Sequence, residues 1–239
     1  MDYTKELDIA CEKFRRIMEG QLRRVEEMKA QGDFIDYGAL EKLRIGVCGG
    51  DGIGPVITRE AERVLRAILS DEVAAGKVEF VPIDGLTLEH RIEAMQAIPD
   101  DVMAQLKSCH VILKGPTTTP QKGSGMPNIE SANVAMRKAL DLFANIRPVK
   151  VPAEGIHWTI FRENTDGYAV GNSGFNVTDD LAMDFVVTTK QGSERIARIA
   201  YDYARRNGFT RVSLVTKANI VKTTDGNFLE DCHRVAALY

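Results

Sequence analysis

Leu7, Cys11, Phe14, Met18, Leu22, Val25 and Met28 recur three or four residues apart with charges between them, which predicts an amphipathic helix over residues 5 to about 30. Acidic and basic residues alternate on its polar face, so docking on its own domain or on a partner chain suits it better than lying on a membrane. Gly32-Asp33 ends the run. From Leu43 the pattern changes to short apolar runs alternating with helical periods, the signature of an α/β domain whose parallel strands need helical crossovers. Strands are predicted at 43–48, 78–83 and 110–113, with helices after Pro55 and over 86–97 and 131–142. Beyond Ala144 the pattern predicts strands near 158–161, 183–189 and 211–216, a helix over 193–206 and another opening near Gly226. The Gly- and Asn-rich stretch 167–176 reads as a turn or an exposed arm, and the sharpest compositional break falls near residue 143.

Composition narrows the functional class. Among 239 residues, 31 Lys and Arg face 34 Asp and Glu for a net charge of −3, so no basic excess favours nucleic acid or an anionic membrane. No apolar run reaches the roughly 20 residues of a membrane span, and Met1-Asp2-Tyr3-Thr4-Lys5-Glu6 lacks a signal peptide's apolar core, which predicts a cytoplasmic protein. Cys11, Cys48, Cys109 and Cys232 form no C-x-x-C pair, and His90, His110, His157 and His233 include no pair at i, i+4, so neither a disulfide framework nor a histidine metal site is indicated.

Four segments carry candidate chemistry. Gly50-Asp51-Gly52-Ile53-Gly54-Pro55 puts Pro55 where a dinucleotide-binding Rossmann turn needs its third glycine, and no Gly-Lys-Ser or Gly-Lys-Thr follows to make a P-loop. A tight strand-to-helix turn with Pro55 at the first helical position explains it equally well. Lys114-Gly115-Pro116-Thr117-Thr118-Thr119-Pro120 stands at a strand's carboxyl end, where open α/β sheets place ligands, although such loops also serve as inert connections. Ser131 and Asn133 precede Arg137 near one helical edge, while Arg147 and Arg162 lie on later strands; three converging guanidinium groups suit a substrate with several carboxylates. Thr216-Lys217-Ala218-Asn219-Ile220 offers a lysine suited to proton abstraction and an asparagine suited to orienting a polar group, with a solvated lysine as the plain alternative.

In this order the motifs resemble those of the isocitrate and 3-isopropylmalate dehydrogenase family of metal-dependent β-decarboxylating dehydrogenases. The resemblance runs from about Leu43 to Tyr239 through Gly50-Asp51-Gly52-Ile53-Gly54-Pro55, Lys114-Gly115-Pro116 with Thr118-Thr119-Pro120, Ser131-x-Asn133-x-x-x-Arg137, Asp141-Leu142-Phe143-Ala144-Asn145-Ile146-Arg147-Pro148, Arg162-Glu163-Asn164-Thr165 and Lys217-Ala218-Asn219-Ile220. It implies an α/β, non-Rossmann isopropylmalate dehydrogenase-like fold, incomplete at the C-terminus. The implied domains are a helical extension over 1–40, the first part of a large domain over 41–143, and a truncated small domain over 144–239 with a dimerisation arm at about 166–190.

The same resemblance implies NAD or NADP as cofactor, Mg2+ or Mn2+ as metal, and a homodimer acting on a hydroxy polycarboxylate. Thr118, Thr119 and Asn219 would bind the cofactor, the two threonines at its nicotinamide end. Ser131 and Asn133 would contact the substrate's distinguishing carboxylate, and Arg137, Arg147 and Arg162 its others. Lys217 would deprotonate the hydroxyl across a dimer interface, and Tyr168 would protonate the enol left when carbon dioxide departs. The polar Ser131–Asn133 pair resembles the isocitrate enzymes, whereas the isopropylmalate enzymes carry apolar residues there. The family's metal-completing aspartates have no counterpart up to Tyr239, so no metal ligand is assigned in this chain, and a non-catalytic subunit that binds a tricarboxylate is the alternative from another class. An interaction module built on the charged amino-terminal helix would explain residues 1–40 and none of the ordered motifs.

Overall fold

The computed structural model describes residues 3–32, 35–120, 123, 125–167 and 174–239. The backbone divides into two units, Asp33–Leu140 on one hand and Met1–Gly32 with Asp141–Tyr239 on the other.

The 33–140 unit is built on a parallel sheet of order β2-β1-β3, formed by β1 (Leu43–Cys48), β2 (Val78–Pro82) and β3 (Val111–Lys114). Ile45 at the centre lies opposite Phe80 on one side and Val111 on the other. Helices α2 (Gly54–Ile68), α3 (Ser70–Ala74), α4 (Leu88–Glu93), α5 (Asp100–Lys107) and α6 (Ala132–Ala139) complete the unit. Pro55 sits in the first turn of α2, where its missing N–H would have no helical acceptor anyway. Cys48, Ile83, Leu86, Val102, Leu106 and Met136 form the main core. A second cluster, Ile45, Val78 and Phe80, takes Leu65 from α2. Ile57, Val64 and Ile68 of the same helix stay exposed, so only part of its apolar face is used. The predicted 86–97 helix contracts to α4, with Thr87 as N-cap, and the 131–142 helix contracts to α6.

In the other unit, β4 (Ala144–Val151) and β5 (Ile156–Glu163) form an antiparallel pair. One face packs on α7 (Lys190–Arg206), where the Phe161 and Tyr203 rings stand 5.2 Å apart and Thr159 bonds the Tyr203 hydroxyl. The predicted amino-terminal helix forms as α1 (Thr4–Ala30) and docks on this unit through Arg24, which donates to Asp166 and Thr165, and through Phe14 against Phe185. Helix α8 (Thr224–Ala236) packs on α7 through Cys232, Val235 and Ala197.

Two predicted strands change. The run at 183–189 reduces to an isolated bridge at Val187 and a two-residue strand β7 (Ala182–Met183), which pairs with β6 (Phe175–Asn176). The run at 211–216 alternates in exposure residue by residue, as a strand should, yet it pairs with no strand among the described residues. Val215 is 92 % exposed. An open apolar cavity of about 700 Å³ is lined by both this segment and β5, with Trp158, Ile160, Ala200, Phe209 and Leu214 on its walls. The alternation predicted a strand, and with no hydrogen-bonding neighbour among the described residues the segment forms none.

Candidate functional site

In the 33–140 unit, the loops following β1 and β3 lie against each other. Gly115 N donates to Cys48 O at 2.8 Å and Asp51 N to Pro116 O at 2.7 Å. A Cβ on Gly50, whose φ is +72°, would collide with the Pro116 carbonyl, and one on Gly115 with the Gly49 carbonyl. These glycines thus permit backbone-to-backbone packing. The Asp51 carboxylate adds a second tie, accepting from Leu88 N at 2.7 Å through Oδ1 and from Thr118 N at 2.6 Å through Oδ2.

Arg91 on α4 completes the arrangement from beneath. It is fully buried, with Nη1 donating to Thr118 O at 2.8 Å, Nη2 to Glu130 O at 3.2 Å and Nε to Ala97 O at 2.8 Å. Burial lowers its pKa, with the Asp51 charge opposing. No sequence signal singled out Arg91, which stands among charged residues in Glu89-His90-Arg91-Ile92-Glu93 within the predicted 86–97 helix. Only the Gly50-Asp51-Gly52 motif offered a signal, for Asp51.

The predicted ligand residues of this unit occupy its rim. Thr118 and Thr119 are exposed. Ser131 is the N-cap residue of α6 but its side chain makes no capping bond. Asn133 and Arg137 follow one helical turn apart, both half-buried. Thr117 Oγ1 lies 3.5 Å from Asn133 Oδ1 and accepts from Lys114 Nζ at 3.2 Å, while Nζ also donates to Gly115 O at 2.8 Å. Burial lowers the Lys114 pKa; nearby Arg91 and Arg137 push it the same way, and Cys48 and Asp51 push it back. The rim thus carries one polar chain from β3 to α6 in a positive surrounding, suited to an anion.

In the other unit, Arg147 and Arg162 share a face of the β4–β5 pair. Asn145 lies opposite Arg162, and Arg147 is two residues further along the same strand, so all three project the same way. Arg147 Nε donates to Asn145 Oδ1 at 2.9 Å, and both arginines are exposed. Tyr168 lies outside the described residues. The turn before it is fixed: the Glu163 carboxylate accepts from Thr165 N, Thr165 Oγ1 and Asp166 N, and the Asp166 carboxylate from Arg24, Thr189 N and Thr189 Oγ1. Lys217 and Asn219 occupy a separate exposed turn after residue 216, held by Asp225 of α8, which accepts from Thr216 Oγ1 and Lys217 N. Among the described residues no hydrogen bond joins that turn to Arg147 or Arg162.

Comparison with known proteins bears on these residues. The family described as isocitrate/isopropylmalate dehydrogenase matches residues 44–239. A regulatory chain of the mitochondrial NAD isocitrate dehydrogenase of Dictyostelium discoideum is 33 % identical over 234 residues, covering 93 % of this chain and 60 % of that protein. Homoisocitrate dehydrogenase of Methanocaldococcus jannaschii is 32 % identical over 213 residues, covering 82 % of this chain and 58 % of its own length. Among solved structures, isocitrate dehydrogenase from Methylococcus capsulatus matches with a TM-score of 0.64 at 33 % identity, covering 82 % of this chain and 57 % of that one. The chain thus spans less than two thirds of each relative's length.

Proposed function

The chain belongs to the isocitrate/isopropylmalate dehydrogenase family, and from that premise we propose that it provides the substrate-gripping part of an NAD- or NADP-dependent enzyme that oxidises isocitrate and releases carbon dioxide to give 2-oxoglutarate. Thr118, Thr119 and Asn219 would hold the nicotinamide cofactor, which would supply the hydride acceptor, and Lys217 takes the proton of the substrate hydroxyl. The resulting β-keto acid loses carbon dioxide, and Tyr168 returns a proton to the enol carbon. Arg137, Arg147 and Arg162 hold carboxylates, Ser131 and Asn133 meet the one that distinguishes isocitrate, and Thr118, Thr119 and Asn219 face the cofactor in a homodimer.

The observation that carries this reading is the polar chain Lys114–Thr117–Asn133. It offers hydrogen-bonding groups where an alkyl-binding relative would need an apolar wall, and a polar wall penalises a ligand that leaves it unpaired. Among the described residues, no three His, Cys, Asp or Glu side chains gather as a metal site, and no step here is assigned to a metal. No helix among them is long and apolar enough to cross a membrane.

The test is calorimetric titration with isocitrate, homoisocitrate, tartrate and 3-isopropylmalate. Isocitrate is expected to bind tightest, and a preference for 3-isopropylmalate overturns the assignment. The name of the Dictyostelium relative favours a second reading, a regulatory chain that binds a tricarboxylate and does not turn it over. Under that reading isocitrate binds, yet no reduced cofactor forms with NAD or NADP in buffers containing Mg2+ or Mn2+.

A further inference from the structure

We propose that Arg91 is a positioning residue that couples the loop at Thr118 to the start of α6 at Ser131, so that the two ligand-facing segments of the 33–140 unit are held, and released, together. This rests on the reading of Thr118 and Ser131 as ligand contacts. The Thr118 peptide is gripped on both sides: its N–H by the Asp51 carboxylate at 2.6 Å and its C=O by Arg91 at 2.8 Å. The same guanidinium reaches the carbonyl of Glu130, the residue before Ser131, and a third bond to Ala97 O anchors it to the chain leaving α4.

All three acceptors are backbone carbonyls in different segments, and Arg91 forms no ion pair among the described residues. A fully buried cation that spends its donors on loops reads as a spacer between them. Its rigid planar fork is what lets one side chain fix two loops at a set separation; a lysine ammonium has donors but no fork. Asp51 works from the opposite side, joining the first turn of α4 to Thr118. Movement of Thr118 therefore strains α4 and, through Arg91, the start of α6.

Hydrogen exchange of the wild-type chain, Arg91→Met and Arg91→Lys tests this alongside isocitrate titration of each. In Arg91→Met, amides of 117–119 and of 130–134 are expected to exchange faster together, by about tenfold or more, while amides of β1 and α7 keep their rates. Isocitrate affinity should fall by roughly tenfold, with Arg91→Lys recovering part of both effects. A folded Arg91→Met in which only one segment loosens, or neither, overturns the proposal. Should Arg91→Met fail to fold, Arg91→Lys decides: wild-type exchange in both segments overturns it, and paired acceleration supports it. A wild-type chain that binds no isocitrate, with paired acceleration still present in the variants, overturns the ligand assignment and supports the coupling.

Discussion

Arg91, fully buried in one unit, and Arg195, partly buried in the other, each stand at the centre of a polar network, and they are satisfied in opposite ways. Arg91 donates from Nε, Nη1 and Nη2 to three neutral carbonyls. Arg195 grips Asp141 with two bonds of 2.7 and 3.0 Å, donates to Thr165 Oγ1 at 2.8 Å, approaches Glu163 at 3.4 Å and stacks over Phe143. Its Nε has no hydrogen-bond partner among the described residues. Arg195 therefore neutralises charge: Asp141 has a φ of 45°, a left-handed conformation that Asp tolerates better than most residues, and the ion pair holds it there. Arg91 neutralises no carboxylate by direct contact and orders backbone instead. Removing a charge partner can be offset by removing the other charge, whereas removing a backbone spacer has no such remedy.

That contrast sets an order of expected effects. Arg91→Met should cost the most stability, about 4 kcal/mol in urea unfolding, because three backbone carbonyls lose the donor of a fully buried side chain at once. Arg195→Met should cost about 3 kcal/mol, but Asp141→Asn in that background should return about 1 kcal/mol of it in a double-mutant cycle. Coupling of similar size between Arg91 and Asp51 would erase the distinction between the two arginines.

The next effect concerns pH and treats the two units alike. Burial pushes the thiols of Cys48 and Cys232 up to about 11 from an ordinary 9.0, the lysine near Cys48 opposing and Asp231 adding to the shift at Cys232. Between those values the folded state keeps protons that the unfolded state releases. Each thiol's contribution is therefore fully present below pH 9 and is lost as pH rises toward 11, up to about 2 kcal/mol apiece. Urea midpoints measured across that window should fall with pH, with a shallower slope in Cys48→Ala. Alkylation at pH 8 should meanwhile reach exposed Cys11 well before Cys48 or Cys232.

Arg147→Ala and Arg162→Ala complete the series. Both side chains are exposed, so stability should change by less than about 0.5 kcal/mol while isocitrate affinity falls by roughly tenfold each. Equal losses of stability and affinity would place these arginines with the structural pair instead.

Much of the architecture was legible along the chain. The strand at 43–48, the long amphipathic helix and the role of Pro55 follow from periodicity and local sterics, and each appears where the pattern put it. Helix ends were less legible: α4 and α6 stop several residues short of the periodic stretch because packing, not propensity, decides how much of a short helix survives. The candidate site divides in the same way. Its rim residues announced themselves by motif, while Arg91 sat unnoticed among the charged residues of a predicted helix.

Motif order and spacing determined by themselves the family and the α/β class, since these depend on neighbours within a few positions. Tertiary structure alone decided that Arg91 is buried under two loops and that residues 211–216 pair with no strand among the described residues. It also decided that Asp51 serves as a tie between loops. Each of these depends on groups far apart in sequence. A buried hydrogen bond exists only if its distant acceptor arrives, and a strand joins a sheet only if another backbone lies within reach.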